Sequence, residues 1–319
     1  MNVKPALHVR TMTPADLTFA DSLRAATGWN QTRDDWRRFI AHAPGGCFVA
    51  EWNGVPAGTA TTTLYGPNLA WIGMVLVHPD FRRRGIGRAL LKNCVGHLQG
   101  RGVRCIKLDA TPLGKELYDG LGFRDEWTLT RWVGTNSGPG VPPASGASGS
   151  RTRRGQAASD GSRADCAMTG ENPPSPGFRP WRDADAEFVD PLDAAAFGVS
   201  RRRLLETLAP QSRCALVLPS AAQGPVGYGL LRPGSQADYL GPVVAYTPED
   251  GLRLLEKLAT RTDGRRFIVD TPDLNGPAAA WAREEGLAAE RHLTRMFLGE
   301  NLSPGRPDRQ FAIAGPEVG

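Results

Sequence analysis

The sequence predicts an α/β chain built as two tandem copies of one unit. Short β-branched segments alternate with segments of helical periodicity along its 319 residues. Four short patterns also recur in the same order in both halves. Pro56-Ala57-Gly58 corresponds to Pro225-Val226-Gly227, and Trp71-Ile72-Gly73-Met74-Val75 to Tyr239-Leu240-Gly241-Pro242-Val243. Lys107-Leu108-Asp109-Ala110-Thr111-Pro112 corresponds to Ile268-Val269-Asp270-Thr271-Pro272, and Leu129-Thr130-Arg131 to Leu293-Thr294-Arg295. Ordered recurrence of this kind points to duplication. Between the copies, residues 135–177 are rich in Gly, Ser, Pro, Ala and Arg and nearly lack aliphatic side chains, so they bury too little apolar area to offset ordering entropy. The expected organisation is therefore a first domain over 1–134, a disordered linker over 135–177, a second domain over 178–300 and a flexible tail over 301–319.

Element by element, Val9 to Thr11 reads as a short strand, and Pro14 to Ala26 has helical spacing of Leu17, Phe19, Ala20 and Leu23. Thr32 followed by Asp35 marks a capped helix start leading into Trp36, Phe39 and Ile40. Cys47 to Trp52 and Gly58 to Leu64 alternate as strands around an Asn53-Gly54 turn. A fourth strand runs from Ala70 to Val77. Ile86 to Leu98 is an amphipathic helix with Ile86, Ala89, Leu90 and Cys94 on one face, and a fifth strand ends at Asp109.

Between the fourth strand and its helix lies His78-Pro79-Asp80-Phe81-Arg82-Arg83-Arg84-Gly85-Ile86-Gly87-Arg88. A helix start exposes unpaired N–H groups and partial positive charge, so a basic turn there suits an anionic ligand. Gly85 and Gly87 leave room for a phosphate to approach. The spacing excludes two familiar phosphate loops: no third glycine completes a dinucleotide fingerprint, and no Gly-Lys-Ser/Thr completes a P-loop. Arg82 to Arg84 also read as a solvated basic loop.

Arg82-x-x-Gly85-x-Gly87 after Val-x-Val-His-Pro, with Leu117-Tyr118-x-x-Leu121-Gly122-Phe123 some thirty residues on, resembles the GCN5-related N-acetyltransferases (GNAT) over residues 8–134. The duplicated order is similar to that of bacterial tandem GNAT proteins of the YitH-like subgroup. This resemblance implies two tandem GNAT-like domains, each a mixed, mostly antiparallel sheet flanked by helices. It implies acetyl-coenzyme A as cosubstrate, without a metal, and direct transfer of its acetyl group to a primary amine. Val75, Leu76 and Val77 would lie along the pantetheine arm. Arg82, Arg83, Arg84, Gly85, Ile86, Gly87 and Arg88 would surround the pyrophosphate. The thioester would sit where the fourth and fifth strands splay apart, with a backbone N–H near Val75 polarising its carbonyl.

By the same resemblance Tyr118 is the proton donor to the departing thiolate, its rival role being packing beside Leu121 and Phe123. Trp29 and Asn30 would border the acceptor pocket, although Trp29 also reads as a core anchor. The general base is open, because the fourth strand carries no carboxylate. Asp109 is the best placed candidate, set against a role in capping the Thr111-Pro112 turn. Glu51 is a weaker one, and His78 reads as a turn residue. A base acting through water needs no dedicated side chain.

The second copy replaces the basic glycine turn with Pro248-Glu249-Asp250-Gly251, whose carboxylates would repel a pyrophosphate, and Ala282 stands at the position of the tyrosine. It is expected to keep the fold without the cofactor. A non-catalytic acyl-coenzyme A sensor is the alternative function.

The formal net charge of +5 is modest, and Arg151-Thr152-Arg153-Arg154 has no aromatic residues among its cations, so nucleic-acid binding is not expected. No run reaches the ~18 apolar residues of a membrane span, and no signal sequence opens the chain, so the cytoplasm is the expected location. Cys47, Cys94, Cys105, Cys166 and Cys214 are scattered without Cys-x-x-Cys spacing, which favours core positions over disulfides or metal binding. The acceptor is expected to be a small-molecule or peptide amine. Its identity and the oligomeric state stay open.

Overall fold

The computed structural model describes residues 6–135, 177–220 and 224–319. The first half comprises β1 (Leu7–Thr11), α1 (Leu17–Ala26), α2 (Arg33–His42), β2 (Cys47–Trp52), β3 (Val55–Leu64), β4 (Ala70–Val77), α3 (Ile86–Gln99), β5 (Cys105–Ala110), α4 (Pro112–Asp119) and β6 (Arg124–Thr135). The second comprises β7 (Arg179–Pro180), α5 (Asp185–Phe197), α6 (Arg202–Leu208), β8 (Cys214–Ser220), β9 (Gly224–Arg232), β10 (Asp238–Ala245), α7 (Pro248–Ala259), β11 (Arg266–Pro272), α8 (Gly276–Glu284), β12 (Ala288–Gly299) and β13 (Gln310–Ala312). The linker expected over 135–177 lies, apart from its end residues, outside the described residues, as does Cys166. The other four cysteines are buried.

Local chemistry explains the element boundaries. Thr32 and Asp35 form a reciprocal capping box at the start of α2, with the Thr32 N–H donating to Asp35 Oδ2 at 2.6 Å. Asn53 and Gly54 both take positive φ, 51° and 80°, which matches the twist of the β2–β3 hairpin. Along α3, Ile86, Leu90, Leu91, Cys94 and Leu98 are buried and pack on Phe48, Ala50, Ile72, Ile106 and Leu108 of the sheet.

The two halves do not own separate sheets. Among the described residues all strands join one 13-stranded sheet in the order β1-β2-β3-β4-β5-β12-β6-β11-β10-β9-β8-β7, with β13 added to β10. The last long strands are exchanged: β12 of the second half pairs with β5, and β6 of the first pairs with β11. The exchanged strands meet antiparallel with Leu129 opposite Leu293, so the recurring Leu-Thr-Arg motifs lie across a local two-fold relation. The two copies therefore share one continuous sheet. Sequence matching identifies the copies but carries no information on which copy's edge each strand completes.

The exchange is locked by two buried ion pairs. Arg295 donates from Nε and Nη2 to Asp109 at 2.8 and 2.9 Å, and Arg131 donates in the same way to Asp270 at 2.8 and 2.7 Å. Each pair therefore takes one partner from either half. The Arg295 guanidinium also lies 4.5 Å from the Trp71 ring centroid and 4.1 Å from that of Trp127, where cation–π attraction supports it.

The tail expected to be flexible is instead buried from Gln310 onward. Strand β10 pairs in parallel with β11 only at Asp238 and Tyr239, then diverges, and β13 enters the gap to pair with Val243 and Val244 of β10. Phe311 lies so close to Gly251 in α7 that a Cβ there would strike its ring. Asn275 clamps the segment by donating to the carbonyls of Asp308 and Gln310 at 3.0 and 3.1 Å. The last residues then reach the first half, where Trp71 Nε1 donates to Pro316 O at 2.9 Å and the Tyr65 hydroxyl to Val318 O at 2.6 Å. A short segment rich in Gly and Pro shows no periodicity, and its order comes from partners far away in sequence.

Removing one partner of a buried ion pair leaves the other charge unpaired, at a cost of about 3–5 kcal/mol, whereas two apolar replacements are near neutral. Arg295→Met should lower the unfolding free energy in urea by about that amount, and adding Asp109→Leu should recover most of it. Equal loss in the single and double variants would show that the pair does not tie the halves.

Candidate active site

Strand β4 pairs in parallel with β5 at Ala70–Ile106 and Trp71–Lys107, and the two then separate. Beyond that point β5 continues along β12, so one side of β4 from Ile72 to Val77 borders an open gap. The register against β3 shifts between Thr59–Leu76 and Thr61–Gly73, a bulge at which Met74 takes φ +50°. Thr59 Oγ1 donates to Met74 O at 3.0 Å, holding that carbonyl on the β3 side. Because a trans peptide points its N–H opposite to its C=O, the Val75 N–H is turned into the gap.

Next to the gap, residues 79–81 form one 3-10 turn and α3 begins after Gly85, whose φ of +80° favours glycine. Arg83 is also left-handed at φ +60°. The first helical hydrogen bond runs from Ala89 N to Gly85 O at 3.0 Å, and no side chain caps the helix, so the amides of Ile86, Gly87 and Arg88 keep no protein acceptor among the described residues. Those amides, the positive helix end and Arg82, Arg83 and Arg88 on the cleft wall form an anion cradle that fits a diphosphate. Arg84 departs from the expected set. Its guanidinium lies 5.4 Å from the ring centroids of both Trp52 and Phe81 and donates to Asp80 O at 3.1 Å, away from the cleft. His78 is a turn residue, accepting from Asp80 N at 3.4 Å.

Cradle and gap open into one cleft of about 830 Å³, within the usual size of small-molecule sites. Val75, Leu76, Val77 and Tyr118 all line it. Tyr118 sits on α4 beneath Thr111, which caps that helix by accepting from Gly114 N at 3.2 Å. A Cβ at Gly114 would come within 2.9 Å of the Tyr118 ring, so that glycine makes room for it. The ring packs against Phe123 with centroids 6.1 Å apart, while its hydroxyl has no protein hydrogen bond among the described residues. Burial pushes the Tyr118 phenol up to about 12.

Three other expected site residues are committed elsewhere. Asp109 uses both carboxylate oxygens on Arg295, so it neither caps the Thr111 turn nor stands free as a base. Glu51 is 2.7 Å from Arg10 Nε in an ion pair. Asn30 Nδ2 donates to Ala237 O at 2.9 Å while its Oδ1 accepts from Gln236 N and Ala237 N, which makes it a joint between the halves. Trp29 does line the cleft. So do Thr27, Arg291 and Pro316, which the sequence did not single out. Among the described residues no group of three or more His, Cys, Asp or Glu is placed to hold a metal ion, and no helix is long and apolar enough to cross a membrane.

Comparison with known families gives two matches, an acetyltransferase (GNAT) family model over residues 17–123 and an acetyltransferase (GNAT) domain model over residues 189–312. The chain belongs to the GNAT family. It is a tandem GNAT protein, one model falling on each half. It is 24% identical over 210 residues to the uncharacterized N-acetyltransferase YitH of Bacillus subtilis, a match covering 66% of this chain and 62% of the relative. It is 33% identical over 97 residues to the uncharacterized N-acetyltransferase MJ1207 of Methanocaldococcus jannaschii, covering 28% of this chain and 43% of that one. The chain thus spans less than two thirds of the length of these curated relatives. A putative acetyltransferase from Pyrococcus horikoshii superposes with a TM-score of 0.75 at 22% identity, covering 98% of this chain and 96% of that one, which shows the shared fold.

The two GNAT halves differ at the corresponding place. In the first the strand gap is open and meets a glycine-rich helix start. In the second, β13 occupies the gap, and α7 begins instead with Thr247 capping Asp250 N at 3.2 Å.

A Cβ at Gly87 would meet Leu117 and Val77 only at 3.4 and 3.7 Å, ordinary contact distances. Gly87→Ala should therefore keep the melting temperature. Gly87→Leu should weaken acetyl-coenzyme A binding by about 10-fold or more in calorimetry, because a larger side chain intrudes on the phosphate approach.

Proposed function

We propose that the first half is an acetyl-coenzyme A dependent N-acetyltransferase that passes the acetyl group directly to a primary amine, and that the second half binds no coenzyme. The observation that carries this reading is one continuous cleft joining an open strand gap, an uncapped helix start and Tyr118. The diphosphate rests on the α3 amides and Arg82, Arg83 and Arg88. The pantetheine arm follows Val75, Leu76 and Val77, which brings the thioester carbonyl to the Val75 N–H.

Attack by the neutral amine forms the new C–N bond and places negative charge on the carbonyl oxygen, where the Val75 N–H stabilises it. Cleavage of the C–S bond then releases a thiolate, and the Tyr118 hydroxyl supplies its proton. Burial keeps that hydroxyl protonated throughout the neutral range, since its pKa is raised to about 12. The amine proton leaves to water, because both carboxylates considered as bases are held by arginines, and water returns a proton to the Tyr118 phenolate. That same lack of a free base favours the second reading, an acyl-coenzyme A sensor without turnover.

Incubation with acetyl-coenzyme A and a panel of primary amines, with free thiol measured, separates the two readings. Accumulation of thiol that depends on added amine supports the enzyme, and none with any amine supports the sensor. Tyr118→Phe keeps the ring packing and should lower turnover by roughly 10²-fold with little change in cofactor affinity. An unchanged rate would assign Tyr118 to packing. Calorimetry should give one acetyl-coenzyme A per chain, and two would overturn the assignment of the second half.

A further inference from the structure

The cleft contains a cation that the transfer mechanism does not use. On β5, Leu108 and Ala110 pack in the cluster that includes α3, so Asp109 between them faces the opposite side of the sheet. Arg295 meets Asp109 on that side. Two-residue steps back along β12 bring Leu293 and then Arg291 to the same face, and Leu293 packs there with Trp127, Leu129 and Ile313. Thr294 is paired with Ala110, the last residue of β5, so Arg291 lies past the end of that strand, at the mouth of the gap. There it lines the cleft with Thr27, Trp29 and Pro316, on the face away from the diphosphate cradle.

Its surroundings set Arg291 apart from its neighbours. Arg295 and Arg131 each hold an aspartate through two hydrogen bonds, whereas half-buried Arg291 has neither a hydrogen bond nor an ion-pair partner among the described residues. Among the described residues the only carboxylate lining the cleft is Asp109, already neutralised by Arg295. The acceptor side therefore carries net positive charge, presented by a planar fork suited to two-point pairing with a carboxylate. A second ammonium on the acceptor would be repelled there.

We infer that Arg291, supplied by the second half, recognises the acceptor of the first, and that this acceptor is a small amine bearing a carboxylate. The carboxylate is held and stays chemically unchanged while the amine nitrogen takes the acetyl group. This inference rests on the acetyltransferase reading and names the substrate class of that site. It also gives the second half a part in the reaction, as the donor of the selecting residue.

The test uses the full chain, acetyl-coenzyme A and matched acceptors: free amino acids, dipeptides, and the C-terminal amides of both. The amino acids and dipeptides differ in the distance from amine to carboxylate and so report its reach. Wild-type kcat/KM should favour carboxylates over their amides, and Arg291→Gln should shrink that ratio by about 10- to 100-fold, mainly through KM. Arg291→Lys should restore part of it. A ratio that Arg291→Gln leaves unchanged, or a wild-type preference for amides, would overturn the inference. If acetyl-coenzyme A binds but no amine is turned over, binding of the corresponding N-acetylated carboxylates to the coenzyme A complex decides. Binding lost in Arg291→Gln supports the inference, and no binding to wild type refutes it. Absence of acetyl-coenzyme A binding would instead refute the acetyltransferase reading itself.

Discussion

Two aspartate–arginine pairs, each shared between the halves, hold this molecule in its shape. Without the Asp109–Arg295 pair, β12 would lose its buried polar anchor beside β5, and without Asp270–Arg131 the same would hold for β6 beside β11. A buried pair of this kind adds little net stability over apolar packing, but it penalises any other register severely, because a shift leaves two charges unpaired in the interior. The duplicated motif thus acts as a registration device. It forces the copies to complete each other's sheets.

That exchange also shapes the cleft. Strand β5 can leave β4 after two paired residues because its other edge is satisfied by β12. The gap is then a place where backbone groups of β4 have no strand partner, and the bulge at Met74 turns one of them outward. In the second half the same divergence exists, but β13 satisfies the exposed edge of β10 and Phe311 covers the start of α7. Two copies of one fold solve the same hydrogen-bonding problem differently. One leaves the edge to a ligand and the other uses its own chain.

The segment that fills the second gap continues into the first half, where Pro316 and Val318 are held by Trp71 and Tyr65 and Pro316 forms part of the cleft wall. Both faces of the cleft thus depend on residues distant in sequence. The cradle face is built from one short stretch, residues 82, 83 and 85–88, whereas the opposite face draws on the turn after α1, β12 and the final residues together. In the proposed function the contiguous face carries the coenzyme, and the assembled one selects the acceptor.

The sequence alone determined what depends on short spacing. The Thr32–Asp35 cap, the Asn53-Gly54 turn, the buried stripe of α3 and the Gly85-x-Gly87 cradle each follow from residues within a few positions of one another, because backbone geometry makes such neighbours meet. Tyr118 is legible only through the family resemblance of Leu117-Tyr118-x-x-Leu121-Gly122-Phe123, and it lines the cleft. Tertiary structure decided the rest. Asp109 finds its partner 186 residues away and Asn30 its own 207 away, contacts that depend on which strand edges are brought together. Arg84 turns from the cleft because Trp52 and Phe81 offer it aromatic faces. Residues 310–319 have too little periodicity to declare themselves, and their order comes from a gap that exists only once both halves have folded around each other.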